Sequence, residues 1–299
     1  MQNLRILPKL RDSLSYLYIE HAIIDQKDQA IEYVNAEGRV MVPVAGLSLL
    51  LLGPGTSITH AAVRTLADNG CTINWVGEDA MKFYAQGFGE TRKGYHLLHQ
   101  AKMASDPQKH MEVVARMYRF RFNETVGEDL SLPQLRGMEG VRVREAYAVA
   151  SRKFAVQWNG RHYERSNWLG SDPINRALSA ANSLMNGLCQ SAIVSGGYST
   201  AIGFIHTGKQ LSFVFDIADL YKIEYCVPLA FEIVSQSSAD IEKRVRQACR
   251  EKFRVVKLLD KILPDIDELL KVPAQFEGDF PADEDKALPE PLWEEYQEV

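Results

Sequence analysis

Hydrophobic spacing in this chain changes period once, near Gly87-Phe88-Gly89, and that change restricts the fold to a sheet-forming part followed by a helical one. Before it, apolar residues come in short strand-like runs. Tyr16-Leu17-Tyr18-Ile19 leads through Ile23-Ile24 as one run, Ala30 to Val34 alternates, and Asn35-Ala36-Glu37-Gly38 reads as the turn of a hairpin returning through Val40-Met41-Val42. Leu47 to Leu52 predicts a buried strand stopped by Gly53-Pro54-Gly55. Thr59 caps a short helix over His60 to Ala67, ended by Asn69-Gly70, and two further strands follow, Thr72 to Val76 and Lys82 to Ala85.

After the change the pattern is helical. Tyr95 to Met103 is the first helix. Ser105-Asp106-Pro107 and Ser171-Asp172-Pro173 each join a capping acid to a proline at the first helical position, and they open helices through Phe120 and Ile193. Further helices are expected over Leu132 to Phe154, over Phe213 to Ile223, from Pro228, and as one long helix from Ala239 to Leu263. The fold class is α+β with two domains: residues 1–88 a small β-sheet domain, 89–272 a larger all-α catalytic domain, and 273–299 an acidic, Pro-rich tail expected to lack fixed structure.

The 299 residues and 46% hydrophobic content suit a buried core in each part. Cys71, Cys189, Cys226 and Cys249 are scattered without a CxxC pair, which argues for reduced thiols in a cytoplasmic protein and against a zinc ribbon. No leader or membrane span is expected, since the longest apolar runs are as short as Leu49 to Leu52. Net charge is −5, but from Pro273 onward nine acids face one base, so the remainder carries three more basic than acidic residues. Such a body tolerates a nucleic-acid partner without requiring one. Phe276, Phe280, Leu288, Leu292 and Trp293 make the tail apolar enough to dock on a basic surface.

Three segments carry the chemistry. Glu139 lies in Arg136-Gly137-Met138-Glu139-Gly140-Val141-Arg142; each glycine costs a helix roughly 1 kcal/mol against alanine, which suggests that something approaches the backbone closely. Arg136 and Arg142 share a face with Glu139, either gripping phosphate or forming a solvated ion-pair row, and taken alone the ion-pair row is the better reading. His206 sits in a turn bounded by Gly203 and Gly208. Asp216 and Asp219 share a helix face among Phe213, Val214, Phe215 and Ile217, where a carboxylate needs a partner or a cation, although dipole-favoured acids near a helix start are an alternative. Glutamate, histidine and aspartate beside arginines suit a divalent metal acting on a phosphodiester.

These segments resemble the spacer-acquisition endonuclease and integrase of CRISPR adaptation, the Cas-one family, and are most similar to its type I-E branch. The resemblance rests on Gln134 to Gly140, Trp158-Asn159-Gly160-Arg161, Gly203 to Lys209, Ser212 to Asp219, Trp75 to Tyr84 and Pro54 to Arg64, and it extends from about Ser15 to Leu263. It implies that Glu139, His206 and Asp219 ligate Mg²⁺ or Mn²⁺, with Asp216 a supporting catalytic acid. It implies integration of short DNA fragments (spacers) into the CRISPR repeat by attack of their 3′-hydroxyl ends. It also implies a homodimer, joined in a hetero-hexamer by a small ferredoxin-like second CRISPR-associated protein.

For DNA contacts the resemblance points to Arg64, Lys82 and Lys209, and to Tyr163 and Trp168 near the fragment end. Lys243, Arg246 and Arg250, continued by Arg254 and Lys257, form a basic stripe that is a solvated face or a phosphate track; with the resemblance, DNA is favoured. His21 and Ser57 depart from the branch, which has an aromatic wedge and a basic residue there. The alternative function is a metal-dependent nuclease acting on branched or single-stranded DNA without integration; a non-catalytic scaffold is a further rival. His96-Leu97-Leu98-His99 lacks the glutamate of a zincin and reads as packing or surface, and Gly87-Phe88-Gly89 does not complete a dinucleotide fingerprint.

Overall fold

The computed structural model describes residues 16–28, 30–47, 49–78, 82–88, 94–122, 132–161 and 172–273. Strands β1 (Tyr16–Ile19), β2 (Ile23–Lys27), β3 (Ala30–Asn35), β4 (Gly38–Pro43), β5 (Leu49–Leu52) and β6 (Ser57–Ile58) precede helix α1 (His60–Asp68), then β7 (Thr72–Val76) and β8 (Phe83–Gly87) follow. The helical part comprises α2 (Tyr95–Ser105), α3 (Pro107–Phe122), α4 (Leu132–Phe154), α5 (Pro173–Ser195), α6 (Ser212–Tyr221), α7 (Val227–Gln236), α8 (Ile241–Val255) and α9 (Leu258–Leu270).

The strands form two four-stranded sheets, ordered β1-β5-β7-β8 and β4-β3-β2-β6. In the first, β5 runs parallel to β1 and β7, and β8 closes the edge antiparallel. The second is the hairpin meander plus β6 parallel to β2. The expected run from Tyr16 to Ile24 is therefore two strands in different sheets. The chain breaks at His21, which has a left-handed φ of 50° and donates its backbone N–H to the Pro54 carbonyl at 2.9 Å.

Strand β5 explains how the two parts hold together. Side chains alternate across a strand, so Leu50 and Leu52 enter the β core with Ile24, Ile31, Leu66 and Ile73, while Leu49 and Leu51 enter the helical core with Met117, Leu178 and Ile217. All four leucines are buried.

Both acid-proline devices work as the sequence predicts. Asp172 accepts from the Asn175 N–H at 2.8 Å, and Asp106 accepts from Gln108 and Lys109 at 2.9 and 3.2 Å. Helix α5 is the central rod of the helical core. Two helical expectations are corrected. The helices over Phe213 to Ile223 and from Pro228 are continuous through a π turn, Lys222–Cys226. Pro228 offers no N–H to the carbonyl four residues back, and the wider turn accommodates its ring. The single helix over Ala239 to Leu263 is two helices, broken where Lys257 adopts a left-handed φ of 51°, and the second continues through Pro264 to Leu270. No glycine or proline marks the break; it turns Leu258, Leu259, Ile262 and Ile266 into the core.

Candidate active site

Helices α3, α4 and α6 and the loop between α5 and α6 bring the three segments to one place. Glu139, on α4, is held from α3: the Tyr118 hydroxyl donates to Oε2 at 2.9 Å, and Arg121 Nη1 donates to Oε1. The same Nη1 lies 3.9 Å from Asp219 Oδ2 on α6. The other Asp219 oxygen, Oδ1, accepts from Lys222 Nζ at 2.7 Å, one helical turn onward. Burial opposes ionisation of Asp219, but the Lys222 ammonium and the Arg121 guanidinium outweigh it and hold the carboxyl below its ordinary range. Burial, reinforced by Glu139, raises the Tyr118 hydroxyl, so it remains a donor.

The histidine loop is built around Asp216, whose side chain is fully buried. Its Oδ2 accepts from the backbone N–H of Phe204 and Ile205 at 2.6 and 3.1 Å, and its Oδ1 accepts from the His206 N–H and ring Nδ1, both at 2.8 Å. The carboxylate thus fixes loop and imidazole together and leaves Nε2 as the nitrogen for a further partner. The bond to Asp216 raises the His206 pKa above its ordinary value, against the opposing effect of burial. Gly203 is required here, since a Cβ would strike the His206 carbonyl oxygen and reach within 2.8 Å of the Ser212 side chain. Arg136 Nη2 donates to the Ile205 carbonyl at 2.8 Å and so ties α4 to the loop. Asp219 and His206 stand close enough that each shifts the other's titration.

Glu139 therefore takes its partners from α3, and the intrahelical ion-pair row with Arg136 and Arg142 gives way to contacts between elements. Arg142 lies over the Phe122 ring at 4.7 Å. Among the described residues nothing makes the close approach expected at Gly137 and Gly140: a Cβ at Gly137 would meet none of them within 4 Å, and one at Gly140 only the tip of Arg144.

Among the described residues, no three acids, histidines or cysteines are gathered tightly enough to enclose one cation. The donor types nevertheless fit a divalent ion: two carboxylates and an imidazole are hard to borderline ligands of the Mg²⁺ and Mn²⁺ class. A positive nitrogen, that of Arg121, already stands where the two acids meet. Sequence reasoning missed Arg121 and Tyr118, whose partner on α4 lies 18 and 21 residues away in the chain. It also missed Lys222, although its i+3 spacing from Asp219 was readable.

Of the basic residues assigned to DNA, Arg64 is exposed and faces Asp68 at 3.6 Å, and Lys82, Lys209 and Lys243 are exposed. Arg246 is half-buried and Arg250 exposed on α8; Arg250 lies near the Tyr18 hydroxyl on β1. Lys257 falls beyond α8 at the left-handed break. Tyr163, Trp168 and the acidic tail lie outside the described residues. Both histidines of the 96–99 pair are packed against backbone carbonyls, His96 on Gly196 and His99 on Leu270. The four cysteines are buried and no disulfide joins any two of them; burial pushes the thiols of Cys189 and Cys249 up to about 12. No helix among the described residues is long and apolar enough to cross a membrane.

Known proteins share this arrangement of sequence and fold. The profile of a family described as CRISPR associated protein Cas1 matches residues 121–252. The chain is 52% identical over 298 residues to CRISPR-associated endonuclease Cas1 2 of Thermus thermophilus, covering 100% of this chain and 92% of that protein. It is 42% identical over 262 residues to CRISPR-associated endonuclease Cas1 of Escherichia coli, covering 87% and 86%. The crystal structure of a TtCas1–DNA complex matches with a TM-score of 0.82 at 54% identity, covering 89% of this chain and 100% of that one.

Proposed function

This chain belongs to the Cas1 family of CRISPR-associated proteins, and on that premise we propose that it is a DNA endonuclease and integrase that joins the 3′-hydroxyl ends of short fragments to a CRISPR repeat. The observation that carries the reading is the linked cluster Tyr118–Glu139–Arg121–Asp219–Lys222 beside the Asp216–His206 pair. Relatives named as endonucleases and the TtCas1–DNA complex support it.

Glu139, Asp219 and His206 would hold Mg²⁺ or Mn²⁺. When bound, that ion supplies Lewis-acid stabilisation of the charge that builds on the phosphodiester oxygens. The protein's own groups do the rest. Asp216 keeps the proton on His206 Nδ1 and the ring in one orientation. Lys222 offsets the charge of Asp219, which eases the approach of an anionic phosphodiester. Arg136 fixes the loop relative to α4. In the joining step the fragment's 3′-hydroxyl oxygen forms the new bond to phosphorus and gives up its proton to solvent, while the 3′ oxygen of the repeat strand leaves with its bonding electrons and takes up a proton to become a hydroxyl. Water in place of the fragment gives hydrolysis. No nucleophile from the protein is needed.

We assign the homodimer, and its assembly with a small ferredoxin-like second CRISPR-associated protein, to the same reading. The test is a strand-joining assay on a repeat-containing plasmid, with and without that partner, in Mg²⁺ and in Mn²⁺. Covalent joining that Glu139→Ala abolishes is the expected result. Cutting without joining would leave the plain nuclease, and activity unchanged in Glu139→Ala would leave a scaffold.

A further inference from the structure

We infer that Arg121 is the resident counter-cation of the Glu139–Asp219 pair and competes with the divalent ion for it, so that metal enters by exchange and not by filling a ready cage. The inference rests on reading the site as a metal centre, and adds the residue that sets how readily metal enters.

All four oxygens of the two carboxylates are already engaged by groups of the protein. On Glu139, Oε2 takes the Tyr118 hydroxyl and Oε1 takes Arg121; on Asp219, Oδ1 takes Lys222 and Oδ2 faces Arg121 at 3.9 Å. One oxygen of each acid faces the same nitrogen, Arg121 Nη1: Glu139 Oε1 accepts from it, and Asp219 Oδ2 lies 3.9 Å away. A dication held by Glu139 and Asp219 would have to share that space with the guanidinium, like charge beside like charge. A guanidinium is more weakly hydrated than an ammonium and settles readily beside buried acids, so the conflict is built into the site. It is relieved by moving the side chain.

Arg121 is placed to move. It lies in the last turn of α3. Among the described residues its buried Nε has no hydrogen-bond partner, so withdrawal gives up the Nη1 contacts to the two acids and the place over the Phe122 ring at 5.5 Å, and strands nothing at Nε. Metal-free, the guanidinium is nonetheless valuable: with side-chain exposure of 8%, it offsets two acids that would otherwise repel each other in a poorly solvated place. One group thus stabilises the empty fold and opposes loading.

The experiment measures Mn²⁺ binding to the full-length protein, stripped with chelator and without DNA, by the electron paramagnetic resonance signal of free Mn²⁺, together with melting in chelator. Wild type is compared with Arg121→Gln, Arg121→Lys and Glu139→Gln. Arg121→Gln is expected to bind Mn²⁺ about tenfold more tightly or better, the size of one charge-assisted contact removed from the competition. Its melting temperature should fall in chelator and recover with Mn²⁺. Arg121→Lys, which keeps the charge but not the fork, should bind with intermediate affinity, and it decides the matter if Arg121→Gln does not fold. Equal or weaker Mn²⁺ binding in both variants, with wild-type binding still lost in Glu139→Gln, overturns the exchange and leaves the metal centre standing. Absence of Glu139-dependent binding in wild type and in both Arg121 variants overturns the metal centre, and the exchange with it.

Discussion

Asp216 shows how a single residue can hold a loop. Among the described residues its two oxygens face four donors: three backbone N–H groups and the His206 ring. Asparagine is nearly isosteric, but its amide nitrogen would confront two of those donors. Asp216→Asn should therefore cost about 2–4 kcal/mol, close to Asp216→Ala, through buried groups left unmatched. Urea unfolding in which asparagine cost less than about 1 kcal/mol, the size of a single ordinary hydrogen bond, would contradict the cradle. Much of this site was legible at residue scale. Glu139, His206 and Asp219 stood out because glycines or apolar neighbours surround polar groups that such settings do not favour. Arg121 did not, because an arginine in the last turn of a helix is also what a helix dipole favours; only the packing of α3 against α4 and α6 distinguishes it.

At the scale of elements, α4 carries a cost with no internal reason. Gly137 is exposed, and none of the described residues fills the space where its Cβ would be. Gly137→Ala should raise stability by about 0.5–1 kcal/mol and lower strand joining, because the missing Cβ leaves the backbone open to a phosphodiester. Joining activity at wild-type level in that variant would show that DNA does not approach there. A second contact links α6 to α9, where the Tyr221 hydroxyl donates to Asp265 Oδ2 at 2.6 Å. Burial raises the Asp265 pKa, and the Tyr221 bond opposes this only in part. A carboxyl with a raised folded pKa favours the fold when neutral. Its contribution is complete below the ordinary carboxylate value of about 4 and is lost as pH rises through the folded value. The melting temperature of Asp265→Asn relative to wild type should therefore climb from pH 4 to pH 7; a flat difference would show that Asp265 is not the titrating group. Element boundaries were legible wherever a cap or turn residue marked them, as at Asp106, Asp172 and Asn35–Gly38. They were not at His21 and Lys257, where ordinary residues take left-handed backbone because the core on either side requires the bend.

The whole molecule is tied together by β5. Removing a methyl-rich side chain from either face should weaken both parts: Leu50→Ala and Leu51→Ala are each expected to cost about 2–5 kcal/mol and to lower one shared calorimetric transition. Two separate transitions, with each variant shifting only one of them, would show independent units. The order of sheet part then helical part could be read from the change of period, since period reports which face of an element is buried. That one strand serves two cores could not, since four consecutive leucines look alike from either side. The alternation has a consequence for anyone recombining relatives of this protein. A chimera spliced near residue 88 would graft a foreign helical surface onto Leu49, Leu51 and Val76, which now fill it from the sheet side. Successful hybrids should be those that exchange these three positions along with the helices, so the practical seam runs through the middle of a sheet and not along the chain.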